Sequence, residues 1–258
     1  MYLSRQQAAQ KRLEAAKSGA LSPEQIAAHE KTQAFLAACE QGDASAAEEL
    51  LRQDALFGTL RDAVDASGAT GLALAAKHGY TDVMELCLRY GSNIHSHDGE
   101  RPPLCWAADH GHAEACRLLL APREGGRPSA NVNARDAFGF TALIDSAKSG
   151  REDIVELLLR AGANVNAATP SGSTALHFAA RANCAPVVAA LLRHGADVSL
   201  RTDANFTAET LAGQAGHIEM GASGPAAARR SATRNVRARA PTHPTHPPPS
   251  PHSLQRCC

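Results

Sequence analysis

Thr174-Ala-Leu-His-Phe-Ala-Ala-Arg-Ala-Asn183 is the stretch on which the fold turns, because the chain repeats it. The same pattern stands at Thr70-Gly-Leu-Ala-Leu-Ala-Ala-Lys-His-Gly79, at Pro102-Pro-Leu-Cys-Trp-Ala-Ala-Asp-His-Gly111 and at Thr141-Ala-Leu-Ile-Asp-Ser-Ala-Lys-Ser-Gly150. A fifth copy begins as Thr207-Ala-Glu-Thr-Leu-Ala-Gly-Gln-Ala-Gly216. The starts lie 32, 39, 33 and 33 residues apart. A fixed period of this size signals one supersecondary unit stacked on copies of itself.

Each position has a physical reason. Thr70, Thr141 and Thr174 place a hydroxyl where it caps the free N–H groups of a helix start. Pro102 and Pro103 suit the same place, where a missing N–H costs little. The Ala pairs at 75–76, 107–108 and 179–180 let neighbouring helices approach, while Leu72, Leu104, Leu143 and Leu176 fill the interior. Gly79, Gly111 and Gly150 end the helix in a left-handed conformation, and Asn183 is the best substitute for Gly there. Apolar runs follow at 83–88, 113–120, 154–159 and 187–192 and predict a second helix per unit. Three of these runs end in the turns Gly91-Ser-Asn-Ile94, Gly162-Ala-Asn-Val165 and Gly195-Ala-Asp-Val198, and the other reaches Ala130-Asn-Val-Asn133. Asp65-x-x-Gly68 and Asp136-x-x-Gly139 read as tight turns at hairpin tips.

The pattern resembles the ankyrin repeat family, whose unit of about 33 residues is a β-turn and two helices with a Thr-Pro-Leu-His-x-Ala signature. The resemblance covers roughly residues 33–220 and implies an all-α solenoid of hairpin-plus-helix-turn-helix units. The expected division is an N-terminal helical extension over 1–28, a repeat domain over 29–220 and a tail over 221–258. Within the domain the units fall near 29–61, 62–94, 95–133, 134–166, 167–199 and a partial 200–220. Residues 4–18 are expected to form a charged helix, and Ser22-Pro-Glu-Gln25 is a capping-box pattern. The first unit is degenerate, with Asp43 placed to cap its second helix, and suits a polar end cap. Two departures stand out. The signature His occurs only at His177, which implies weaker hydrogen-bonded stapling between units. A six-residue insertion within 122–128 lengthens the loop of the third unit, at small entropic cost.

The charge balance is divided. Lys+Arg and Asp+Glu are both 26, but the tail from Gly221 holds six Arg and no acidic residue. The first 220 residues therefore carry 20 basic and 26 acidic side chains, which argues against nucleic-acid binding by the repeats. Half of the 14 prolines also lie in the tail. Its Arg/Ala and Pro/His composition cannot bury a core and predicts disorder. Two origins stand side by side for this segment: a genuine tail, or the product of alternative splicing, intron read-through or a truncated gene model. Arg229, Arg230, Arg234, Arg237 and Arg239 would suit nuclear import or RNA contact, and Pro247-Pro-Pro-Ser-Pro251 an SH3-like polyproline-binding domain or a spacer. Cys257-Cys258 resembles the double-Cys ends of prenylated Rab GTPases, but the chain offers no GTPase for that modification to recognise.

No apolar run approaches the length that spans a membrane, and no leader with a cleavage site is visible. The seven Cys are scattered singly until the terminal pair and read as thiols. Cys105-x4-His110-x-His112-x3-Cys116 has the look of a metal cluster. The repeat explains most of it, since Cys105 replaces the signature His, His112 follows Gly111 and Cys116 falls on the second helix's apolar side. No nucleophile–base set and no phosphate-cradling loop are visible, so neither enzyme activity nor a cofactor is expected.

In this family the position two residues after the signature Leu projects into the concave groove. Here it is Leu74, Trp106, Asp145, Phe178 and Leu211. Hairpin positions add Phe138, Phe140 and Phe206, so four of the six Phe and the only Trp map to the side by which such stacks hold partners. Arg101, Glu100, Lys77, Asp109, Lys148 and Arg181 form a polar rim around them. The bland alternative is that these rings pack against neighbouring units and that the rim is simply solvated. The resemblance implies a monomeric, cytoplasmic or nuclear adaptor or scaffold that binds a protein partner. The alternative is a regulatory subunit whose Arg-rich tail binds nucleic acid or an acidic membrane surface.

Overall fold

A computed structural model describes residues 22–54, 58–95, 101–122 and 129–216. The expected helix at 4–18, the insertion at 123–128, Glu100 and the tail lie outside the described residues. Among those described, the chain is helical: α1 (Pro23–Gln41), α2 (Ala44–Gln53), α3 (Gly71–His78), α4 (Thr81–Arg89), α5 (Pro103–His110), α6 (Ala113–Leu120), α7 (Ala142–Lys148), α8 (Glu152–Arg160), α9 (Ala175–Arg181), α10 (Ala185–Arg193) and α11 (Ala208–Gln214). None of them is long and apolar enough to cross a membrane.

Odd-numbered helices form one row and even-numbered helices α2 to α10 a second, each helix touching the corresponding one in the next unit. The odd row packs more closely. Its contacts run through Ala75, Ala76, Ala107, Ala108, Ala147, Ala179 and Ala180, all buried. The even row meets through Val83, Met84, Leu119, Ile154, Leu158, Val187 and Leu191, which hold the helices further apart. Side-chain size thus bends the stack towards the odd row and makes that face concave. Hairpins join the units, pinned by single antiparallel bridges at Val64–Thr70, Arg135–Thr141 and Ala168–Thr174. Asp65 and Asp136 close their tips: each carboxylate accepts from the backbone N–H groups two and four residues on.

The caps form as the residue types dictate. Thr70 and Thr141 accept from Ala73 and Ile144 N–H. Ser22 and Gln25 form the capping box that starts α1, and Asp43 accepts from Ala46 N–H to start α2. Nothing interrupts Pro23–Gln41, so the boundary drawn at 28/29 falls inside a continuous helix. Asn183 takes φ 56° at the position Gly holds elsewhere. At Gly79 and Gly111 the φ values of 76° and 84° are only half of the requirement. A Cβ on Gly79 would lie 2.5 Å from His112 Nδ1, and one on Gly111 2.8 Å from Arg151 Cζ. The first residue after each helix-ending Gly therefore seats on the Gly of the unit before it.

Stapling between units is fuller than the single signature His implies. His177 Nδ1 accepts from Thr174 N–H at 3.2 Å, and its Nε2 donates to Phe206 O at 3.2 Å in the next hairpin. Burial lowers the pKa of this ring, which keeps it neutral, with the proton on Nε2. Cys105 does a weaker version of the same, its thiol 3.9 Å from Ala134 O. A second column of staples comes from turn residues: Asp62, Asn133 and Asn166 side chains accept from the N–H groups of Asn93, Asn164 and Asp197. His177→Ala should cost about 1–3 kcal/mol by orphaning buried partners. In a stack of nearest-neighbour contacts the damage should stay local. Amide exchange in α11 is expected to quicken while α3 and α5 keep their protection; uniform acceleration would contradict this.

Candidate functional site

The concave face is built by the odd helices, with one column of side chains near their C-terminal ends: Lys77, Asp109, Lys148 and Arg181. The rings predicted for this face lie alongside. Lys77 Nζ stands 5.3 Å and Arg101 Cζ 5.0 Å from the Trp106 ring centre. Lys148 Nζ lies 5.9 Å over Phe140, and Arg181 Cζ 5.2 Å over Phe178. Phe140 and Phe178 meet each other at 5.5 Å. Each cation over a ring gains the attraction of the ring quadrupole, about 0.5–1 kcal/mol where water has access.

The predicted residues therefore sort into groups. Trp106, Arg101 and Asp145 come together around one junction, and Phe140, Phe178, Lys148 and Arg181 around the next. Trp106, Phe140 and Phe178 are half-buried, packed in place yet open to the groove. Phe138 stands apart at a hairpin tip and is 72% exposed, so it does not fold back. Phe206 is half-buried in the last hairpin, with its carbonyl held by His177. Leu74 and Asp145 offer no surface to a partner: they are 6% and 1% exposed. Leu74 joins the apolar core, and Asp145 is taken up by an ion cluster.

That cluster is the feature the sequence concealed. Arg101, whose side chain is 15% exposed, lies 2.6 Å from Asp145 Oδ1 through Nη2, 2.7 Å from Asp109 Oδ2 through Nη1 and 3.6 Å from Asp136 Oδ2 through Nε. Ser149 Oγ donates to Asp109 as well. Arg101 and Phe140 occupy the same place in successive units, just before the helix cap, as do Asp145 and Phe178. The aromatic pair of one junction is replaced by an ion pair at the junction before it. The guanidinium is close to Asp145 but not aligned with it: neither oxygen of that carboxylate receives a directed hydrogen bond. Burial pushes the Asp145 carboxyl up to about 7 against the pull of Arg101, and Asp109 and Asp136 add to the push. Asp109 moves the other way: although burial opposes it, the Arg101 hydrogen bond holds it below the usual carboxylate range. Cys105, beside the cluster, is held well above the usual thiol range by burial and then by the Asp145 charge.

The Cys/His motif disperses. Cys105 points to Ala134 O, His112 Nε2 to Lys77 O, His110 Nδ1 to Trp106 O, and Cys116 is buried in α6. Among the described residues no three His, Cys, Asp or Glu side chains are placed to hold one metal ion. On the convex side Glu156 gathers Arg193 at 2.6 Å, His194 at 3.3 Å and Arg160 at 3.7 Å, linking α8 to the end of α10.

Two outcomes follow from the ion cluster. Removing one partner of a buried pair costs about 3–5 kcal/mol, whereas replacing both by apolar groups is often neutral. Arg101→Ala should fall in that range in urea unfolding, and Arg101→Phe/Asp145→Phe should recover only part of the loss, because Asp109 and Asp136 are left without their cation. The second outcome concerns pH. Between about pH 4 and 7 the native state holds a proton on Asp145 that the unfolded chain, with an ordinary value near 3.9, has released; above about 7 Asp145 is the charged partner of Arg101. The stability from this group is full below about pH 4 and is lost as pH rises through about 7. His177, with its lowered pKa, acts oppositely on the acid side. Asp145→Asn should therefore remove a fall in Tm between about pH 4 and 7; parallel curves for parent and variant would show that Asp145 does not titrate there.

Comparison with known proteins agrees with the geometry. The family model described as ankyrin repeats matches in three overlapping copies, at residues 34–129, 72–169 and 128–203. Transient receptor potential cation channel subfamily A member 1 of Homo sapiens is 32% identical over 99 residues, 38% of this chain. That stretch is 9% of the relative, so the chain spans a small part of the length of the protein it matches. The three family matches run through five of the six units whose caps, left-handed turns and paired helices are described above, and on that ground the chain belongs to the ankyrin repeat family.

Proposed function

We propose that the chain is a non-catalytic recognition module, an adaptor or scaffold that holds a protein partner by its concave face and hairpin tips. Ankyrin repeats generally mediate protein–protein interactions, and their domains are typically non-catalytic. The observation that carries the reading here is where the aromatic side chains lie. Trp106, Phe140 and Phe178 line one face in contact with cations, and Phe138 stands 72% exposed at the tip of the hairpin that carries Phe140. Aromatic and Arg side chains dominate binding energy where proteins meet. A Phe this exposed stays in water at a cost that burial under a partner would recover, about 1.5–3 kcal/mol. Mechanism on this reading means presentation: the stack holds the face rigid, so little ordering entropy is lost on binding.

The test compares affinity capture by the full chain with capture by a Trp106→Ala/Phe138→Ala/Phe178→Ala variant whose helicity is checked by circular dichroism. The variant should lose its partners. The same recovered proteins from both would place the binding surface elsewhere. Deleting residues 221–258 should leave capture intact; loss on deletion, with steep salt dependence, would favour the Arg-rich tail as the binding element.

A further inference from the structure

We infer that the concave face takes an extended acidic protein segment, whose carboxylates meet Lys77, Lys148 and Arg181 in register with the repeat. The inference rests on the recognition role proposed above and names the partner's chemistry. The three cations occupy one structural position in the second, fourth and fifth units, at the C-terminal ends of α3, α7 and α9. Each lies over an aromatic ring: Lys77 over Trp106, Lys148 over Phe140, Arg181 over Phe178. The rings hold the cationic heads along the groove and reduce the side-chain entropy lost on pairing. In the third unit Asp109 takes this position, and Arg101 pairs with it at 2.7 Å. The column thus reads Lys, Asp, Lys, Arg, with the Asp answered by Arg101, on a stretch of chain whose first 220 residues are net acidic. The basic row is local to the groove.

The spacing follows from geometry. Packed helices lie about 8–10 Å apart, and an extended chain advances about 3.3 Å per residue. A segment lying along the groove therefore passes about three residues per unit. Its acids should sit at position i, at i+6, where two units have been crossed, and at i+9. The residue near i+3 faces the Asp109–Arg101 pair and should not be acidic. A single-stranded nucleic acid fits less well. Non-specific strand binding stacks bases on open ring faces, whereas Trp106 already carries Lys77 and Arg101, and Phe178 carries Arg181 and Phe140.

The experiment uses the full chain and two synthetic peptides of one composition. One has three Glu at i, i+6 and i+9 in a Gly/Ser/Ala background; the other has the three Glu adjacent. Binding is read by anisotropy of the labelled peptide and by the fluorescence of Trp106, the chain's only Trp. The spaced peptide should bind about tenfold more tightly than the clustered one, as three modest ion pairs allow. The preference should vanish with Lys77→Glu/Lys148→Glu/Arg181→Glu, and a peptide with Lys in place of Glu should not bind. Equal affinity for the two isomers, or tighter binding of an oligouridylate than of the spaced peptide, would overturn the inference. Capture with the charge-reversed variant separates the two levels. If it keeps partners that the triple-Ala variant loses, the face binds something other than an acidic segment and only this inference falls. If neither variant changes the captured set, the recognition role falls with it.

Discussion

Neighbouring units approach across alanine along one row and across valine, leucine and isoleucine along the other, and this difference in side-chain size governs the rest of the molecule. It brings the odd helices close and bends the stack; the one large ring buried in that row, Phe35, fits because Gly71 faces it. The same tightness appears at the helix ends, where His112 and Arg151 sit where a Cβ on Gly79 or Gly111 would be. Glycine there satisfies a left-handed turn and a steric limit together. Close packing without voids is how interiors of this kind gain their dispersion energy.

The concave face follows from that constraint. Trp106, Phe140 and Phe178 meet no glycine of the kind that admits Phe35 and remain half-buried at the surface of the row, where cations from the same column cover them. One junction departs from the pattern. Arg101 and Asp145 stand where Phe140 and Phe178 stand next door, so a buried charge pair replaces an aromatic contact. Such pairs seldom add net stability over apolar packing, because desolvation consumes the Coulomb attraction. The third and fourth units, which also flank the six-residue insertion, thus meet through a joint of different character from its neighbours.

Much of this was legible in the sequence, since caps, Gly turns and the repeat period are local signals. Thr70, Thr141, Asp43 and Asn183 act as their residue types require. The continuity of α1 was less visible, because the capping box at Ser22 looked like the start of a separate element. Asp145 was misplaced for another reason. It shares the column of Trp106 and Phe178, and only its partner's position, 44 residues earlier across an insertion, explains why a carboxylate is buried there. Aligning Arg101 with Phe140 would have exposed the pair. The weak stapling inferred from the missing signature His overlooked Asp62, Asn133 and Asn166, whose bonds to the next turn depend on a tertiary register that no local pattern states.

The column Lys77, Asp109, Lys148, Arg181 lies beside the framework without belonging to it. Stacking is fixed by the alanines, the glycines and the turn amides, and none of these contacts constrains which charge stands in that column. The charge in the column can therefore vary while the architecture stays fixed. Asp109 is the acid in the middle of that column, and Arg101, brought in from the chain just before α5, balances its charge within the row of helices.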